Sequence, residues 1–272
     1  MKTQDFNFDT DTIAHSYDTV LVPILFKNWA EQLIKDLEPW HNQTVIDLAT
    51  GTGVITNTLQ QQYKHLNIYA VDINSKMLNI AKKHCANAKA KITFIESNVE
   101  TMDIPDNSAD IVICQQGFQF FPNKLIAAKK IKNVLKPGGK VVISTWKPVE
   151  ECQFFGAICQ SLEAMNEHDI SNAMRLPFDF MPANALKQPF TEAGFNMVNL
   201  TEQQMDLLVP NGIPQAIELA NATPIGPQLK TFSTEKSTIF KNNLIKQLKT
   251  ISKHDKHLGH MTSLILTAHK PM

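Results

Sequence analysis

Two carboxylates and two glycines carry the chemistry that can be read from this chain. Asp47 stands in V-I-D-L-A-T-G-T-G (Val45–Gly53), ahead of Gly51 and Gly53, and Asp72 closes the run I-Y-A-V-D. Glycines so placed let a backbone turn closely around a ligand. A carboxylate at the end of the following strand offers two acceptor oxygens to a ribose. A dinucleotide site would add a third glycine, in G-x-G-x-x-G, to pack helix on strand. Thr56 occupies that place. Asp47 would repel a pyrophosphate and favour a cation. The chemistry indicated is the binding of a nucleoside that bears positive charge. NAD is the competing reading, because Asp72 suits either ribose.

These residues need a strand, a tight loop and a helix to hold them, and the sequence supplies the set repeatedly. Apolar runs predict strands at Thr44–Leu48, Asn67–Val71, Ile92–Ile95, Asp110–Cys114 and Lys140–Thr145. Between them, helical spacing falls at Gly53–Tyr63, at Lys76–Ala88 behind a Ser75 cap, and at Lys124–Leu135 before the K-P-G-G turn. Alternating strands and helices imply a mainly parallel sheet covered on both faces, with ligands at the carboxyl ends of its strands. Asp47, Asp72, Asn98, Val99, Gln115 and Gln116 all fall at such ends.

Length and composition agree. The chain has 272 residues and 43% hydrophobic content, enough for a large α/β core. Lys and Arg match Asp and Glu, 26 to 26, so no nucleic-acid partner is expected. Four cysteines form no C-x-x-C pair and no disulfide framework. No leader and no bilayer-spanning run is read, which gives the expectation of a soluble cytoplasmic protein.

Val45–Gly53 resembles the first motif of the class I S-adenosylmethionine-dependent methyltransferases, D-x-G-x-G-x-G. Asp72 resembles their ribose-binding acid, F-I-E-S-N-V-E their adenine-binding segment, and L-K-P-G-G-K-V-V-I-S the turn before their fifth strand. The likeness is greatest to the small-molecule branch that includes the ubiquinone and menaquinone methyltransferases. It implies a Rossmann-like three-layer sandwich, with a mostly parallel seven-stranded sheet, an antiparallel C-terminal strand, and a helical cap and lid. It implies S-adenosyl-L-methionine as cofactor, leaving as S-adenosyl-L-homocysteine. The resemblance puts Asp47, Ala49, Gly51 and Gly53 near the methionine part, and Asp72 on the ribose. Ile73 and Met77 would lie on the adenine, Asn98 and Val99 at its edge, and Gln115 at the ammonium. Ala49 departs from the family's first glycine and is acceptable if φ stays negative. Asn98 departs from a frequent aspartate and makes a weaker, neutral hydrogen bond.

The ends of the chain carry the acceptor. Residues 1–40 form an expected helical cap with helices at Thr12–Asp18 and Val22–Leu37, Pro23 in the first turn of the second. Residues 41–209 and 259–272 form the expected core, and 210–258 a helical lid. Helices are expected at Glu151–Met165, Ala183–Ala193, Ile213–Ala222 and Ser237–Ile251, a loop at Pro177–Pro182, and strands at Phe195–Val209 and Ser263–Ala268. The two late strands should pair antiparallel. Tyr17, Gln116 and Phe120 are the substrate-side candidates. His254, His257 and His260 with Asp255 suggest a metal, but Gly259 argues for a loop and no metal is assigned. No catalytic residue is assigned either, because an activated methyl donor needs position more than acid–base help. The function expected is methyl transfer to a small molecule. A binding protein that keeps the cofactor pocket without chemistry is the alternative, and an NAD-dependent oxidoreductase the third.

Overall fold

A computed structural model of the chain describes residues 11–37, 42–179 and 182–272. Residues 1–10 of the expected cap, 38–41 of the connector and 180–181 of the expected loop lie outside them.

The sheet follows the alternation read above. Strands β1 (Thr44–Leu48), β2 (Asn67–Asp72), β3 (Lys91–Glu96), β4 (Ala109–Gln115) and β5 (Leu135–Trp146) are joined by β6 (Asn196–Leu208) and β7 (His257–His269). Their order is β3-β2-β1-β4-β5-β7-β6. The first five pair in parallel. β7 runs against both neighbours. Gly138 N donates to Lys270 O while Lys147 N donates to Thr262 O, and Val209 N donates to Lys256 O while Thr201 Oγ1 reaches Ile265 O. Numbers rise along one strand as they fall along the other, as expected for the late pair. The chain order reverses between β1 and β4, so their carboxyl ends open the crevice in which such sheets bind ligands.

Helices between the parallel strands begin where side chains satisfy free amides. α3 (Val54–Gln62) starts directly after the left-handed Gly53. α4 (Ser75–His84) is capped by Asn74, not by the expected Ser75; the Asn74 side chain accepts from the amides of Lys76 and Met77. α5 (Lys124–Val134) is capped in the same way by Asn123. The K-P-G-G segment is drawn into β5 rather than standing as a turn before it, because Gly138 and Gly139 both pair with Lys270, the residue that follows β7.

By compactness the chain divides into two units. One gathers described residues of 26–145, 181–203 and 263–272. Here one sheet face carries Val45, Ile111, Ile113, Val142 and Ile265, covered by Ala30, Leu33, Ile34 and Leu37 of α2 (Lys27–Leu37) and by Ile55 and Leu59 of α3. The other face carries Ile46, Val112, Cys114, Val141, Ile143 and Leu264, covered by α5 and by Leu186 and Phe190 of α8 (Ala183–Glu192). Both faces are dry and apolar, the pattern of a doubly covered sheet.

The second unit gathers described residues of 1–25, 146–180 and 204–262. The division therefore falls elsewhere than the expected cap, core and lid. It contains α1 (Asp11–Ser16), most of a π-helical stretch at Tyr17–Phe26, α6 (Gln153–Glu163), α7 (His168–Asp179), α9 (Ile213–Ala222), α10 (Gly226–Leu229) and α11 (Thr234–Ile251). Pro23 lies inside the π-helical stretch, not at the start of a helix. A proline has no N–H to give and crowds the preceding turn, which a wider turn relieves. α7 replaces part of the expected loop; it carries Pro177 in its last turn, and Arg175 ties it to Glu150 and Glu163. Gly259 sits with a left-handed φ of 76° inside β7, so the expected loop entering the last strand is already strand. No helix among the described residues is long and apolar enough to cross a membrane.

Candidate functional site

The loop after β1 is organised from beneath. Asp47 is 1% exposed, and its Oδ2 accepts from Thr50 Oγ1 (2.5 Å), Thr56 Oγ1 (2.7 Å) and Thr56 N (3.1 Å). One carboxylate oxygen thus gathers the start of the loop and the first turn of α3. Burial pushes the Asp47 carboxyl up to about 6, with the Asp72 charge adding a little, against the pull of these hydrogen bonds. Ala49, Gly51 and Gly53 all have left-handed backbones, with φ of 54°, 56° and 88°. The condition of a negative φ, under which alanine would sit there without strain, is therefore not met. The loop demands the conformation that favours glycine, and alanine accepts it at a cost of roughly 1–2 kcal/mol. A methyl added at Gly51 would meet nothing within 4 Å, so only φ requires glycine there. At Gly53 it would lie 2.9 Å from Ala81 Cβ of α4, so space requires it too.

Asp72 joins this loop to β2. Its Oδ2 accepts from Gly51 N (2.8 Å) and its Oδ1 from Asn74 N (2.8 Å). Burial raises its pKa despite those two amides. With the Ile73 amide also acting on it, the carboxylate still has acceptor capacity left for a ligand. Beside this half-buried acid, Ile73 is 70% exposed. Met77 is buried in α4. Asn98 follows β3, and its Oδ1 accepts from Glu100 N (2.9 Å), closing a turn around the buried Val99.

The carboxyl end of β4 is different. Gln115 is buried; its Nε2 donates to Phe26 O (2.9 Å) and its Oε1 has no partner. Gln116 is buried with a left-handed φ of 56°; its Nε2 donates to Ser263 Oγ (3.0 Å) and its Oε1 is likewise unpartnered. Gln119 Oε1, Ser144 Oγ and Thr145 Oγ1 complete this unsatisfied group. Phe120 is 40% exposed, whereas Phe118 is core, packed on Phe121 and Phe190. Tyr17 belongs to the other unit. So does His257, whose buried Nδ1 accepts from the amides of Lys253 and Gly259. Among the described residues no three His, Cys, Asp or Glu side chains are grouped to hold a metal. The four thiols are buried, and burial pushes Cys85 and Cys159 to about 11, which leaves them protonated.

Residues 46–143 match the model of a methyltransferase domain. The chain is 30% identical over 151 residues to the demethylmenaquinone methyltransferase of Thermotoga maritima, covering 54% of this chain and 64% of that one. It is 27% identical over 205 residues to the enzyme of the same name from Staphylococcus haemolyticus, covering 69% and 84%. Residues 46–143 thus carry a methyltransferase domain, of the S-adenosylmethionine-dependent kind that these relatives represent. The fold of the chain is that of Haemonchus contortus phosphoethanolamine N-methyltransferase 2, with a TM-score of 0.62 and 18% identity over 97% of this chain and 58% of that one.

Several of the residues expected on the donor side lie together in the structure. Asp47, Gly51 and Asp72 are linked through one hydrogen-bonded loop, and an exposed apolar side chain stands beside the ribose-type acid. These features fit an S-adenosyl nucleoside. Thr50, Thr56 and Ser263 were missed by sequence reasoning. The signal for Thr56 was present, since the residue in the third-glycine position was one able to donate. Ser263 lies far along the chain, and only strand pairing brings it to Gln116.

Proposed function

We propose that this protein transfers a methyl group from S-adenosylmethionine to a small-molecule acceptor by in-line displacement, releasing S-adenosylhomocysteine. The observation that carries the reading is Asp72, tied to the Gly51 amide and flanked by exposed Ile73. It is an acid with acceptor capacity left next to an apolar surface, the pairing a ribose and its base require. When bound, S-adenosylmethionine supplies a methyl already activated on a sulfonium.

The surroundings of each residue support a part for it. Asp72 takes the ribose hydroxyls. Ile73 covers the adenine, and the Val99 amide and Asn98 meet its edge; the Asn98 oxygen does so with its remaining lone pair, the other being held by Glu100 N. Gln115 turns its unpartnered carbonyl to the ammonium. Asp47 holds the loop and places negative charge beneath it, which favours a cation and disfavours a diphosphate. Gln116, Phe120 and Tyr17 serve the acceptor. No general base is assigned, and the protein's contribution is position and exclusion of water. The protein works in the cytoplasm, without nucleic acid.

The relatives named above support demethylmenaquinone as the first acceptor to test, supplied chemically reduced to its hydroquinone, whose ring carbon is nucleophilic and whose hydroxyls can donate. Tritiated S-adenosylmethionine is incubated with the protein and either that compound or a small-molecule cell extract. Label in an organic product, with stoichiometric S-adenosylhomocysteine, is expected. A cofactor that binds and is never consumed would favour the non-catalytic alternative.

A further inference from the structure

Of the polar atoms left unsatisfied at the ends of β4 and β5, the carbonyl oxygens of Gln115, Gln116 and Gln119 can only accept, while the hydroxyls of Ser144 and Thr145 can accept or donate. Along one sheet face the apolar column gives way to polar residues at the crevice end: Val45 to Asp47, Ile113 to Gln115, Val142 to Ser144, and Ile265 to Ser263. Alternation would send Gln116 to the opposite face with Val112 and Cys114. Its left-handed φ of 56° breaks the alternation, and its amide reaches Ser263 instead. A non-glycine residue in that conformation is strained, and such strain gathers at ligand sites.

The hydrogen-bond inventory then fixes which way the Gln116 amide points. Ser263 Oγ has a single proton, directed at Thr145 O (2.8 Å), with Leu264 O (3.4 Å) the alternative. Both are carbonyls and can only accept. Toward Gln116, Ser263 can therefore only accept, and Nε2 must face it. Oε1 is left buried, 7% exposed in the residue as a whole, with no donor. A buried acceptor without a donor costs about 1–3 kcal/mol.

We propose that Gln116 is the specificity residue for the methyl acceptor, selecting a neutral or cationic group that donates O–H or N–H, with Ser263 as the residue that positions it. This rests on the methyltransferase reading. An anionic acceptor, carboxylate or phosphate, is rejected, because it would bring oxygens against an oxygen. Lys124, the cation beside the next turn, is already committed to the carbonyls of Gln119 (2.8 Å) and Phe121 (2.5 Å).

The test measures binding of four naphthalenes to the protein saturated with S-adenosylhomocysteine. 1-Naphthol and 1-naphthylamine donate, 1-methoxynaphthalene cannot, and 1-naphthoate is anionic. Wild type is expected to bind the two donors at least tenfold more tightly than the other two. Gln116→Leu should erase the preference. Ser263→Ala, which frees the amide to turn, should reduce it several-fold, and Ser263→Thr should restore it. S-adenosylhomocysteine affinity of each variant serves as the folding control, and the Ser263 pair decides the matter if Gln116→Leu fails it. The proposal is overturned if wild type binds all four alike, prefers naphthoate, or binds none while holding S-adenosylhomocysteine. It is also overturned if both the Gln116 and Ser263 variants keep the preference. Failure of wild type to bind S-adenosylhomocysteine would strike the methyltransferase reading instead.

Discussion

Two neighbouring strand ends in the sheet unit treat their polar groups in opposite ways. At β1, Asp47 is deeply buried, yet its Oδ2 is filled by Thr50 and Thr56, and Asp72 is tied to Gly51 and Asn74. At β4, Gln115 and Gln116 give their amide hydrogens to the protein and keep their carbonyls unmatched. The β1 end is a finished loop whose internal bonds shape it before a ligand arrives. The glutamine carbonyls of the β4 end are satisfied only by donors from outside. A site built this way fixes one partner by preformed geometry and reads the other by unsatisfied chemistry.

If the β1 loop is finished, altering its geometry should damage the fold itself. Gly53→Ala combines a left-handed alanine with a 2.9 Å approach to Ala81 Cβ, and is expected to cost about 3 kcal/mol in urea denaturation. Gly51→Ala meets only the φ penalty, about 1–2 kcal/mol. Equal losses at the two positions would break the distinction between space and conformation.

The buried acid gives a pH signature. Asp47 holds its proton more tightly in the fold, at about 6, than in the unfolded chain, at 3.8. Its contribution is thus fully present below pH 3.8 and is lost as pH rises through 6. The stability of wild type relative to Asp47→Asn should fall by about 3 kcal/mol across that window and then level off. Denaturation curves at several pH values between 4 and 7.5 check this, and a flat difference would contradict the burial argument.

Thr56→Val keeps shape but removes the hydroxyl donor to Asp47, and is expected to cost about 2 kcal/mol and raise the Asp47 pKa further. The smallest effect has the opposite sign. Ala49→Gly relieves the left-handed alanine and should stabilise by about 0.5–1 kcal/mol. The gain is limited because the Ala49 methyl fills the space that Gly117 leaves open, where a methyl on residue 117 would come within 2.5 Å of it.

The β1 end was the more legible in sequence, for the same reason that it is self-contained. Asp47, Gly51, Gly53 and Thr56 lie within one short stretch, so local spacing encodes the loop. Even so, the sign of φ at Ala49 is set by the path between β1 and α3, which residue type alone does not reveal. The β4 end depends on Phe26 and Ser263, which reach Gln115 and Gln116 only through packing of α2 and insertion of β7 beside β5. Gln115 and Gln116 were visible as polar residues ending a strand, but not the direction of their amides. α7 was obscured by Pro177, and the cap on α4 by the adjacent Asn74 and Ser75, both good caps, of which the structure uses the first.

Calorimetry with S-adenosylmethionine and NAD tests most directly whether the β1 loop and Asp72 receive a cationic nucleoside rather than a dinucleotide. S-adenosylmethionine should bind and NAD should not. Its affinity should fall as pH drops below about 6, where Asp47 takes up a proton, and Asp72→Ala should weaken it by about 1–3 kcal/mol. Binding of NAD without S-adenosylmethionine, or an affinity untouched by Asp72→Ala, would contradict the cationic-nucleoside reading.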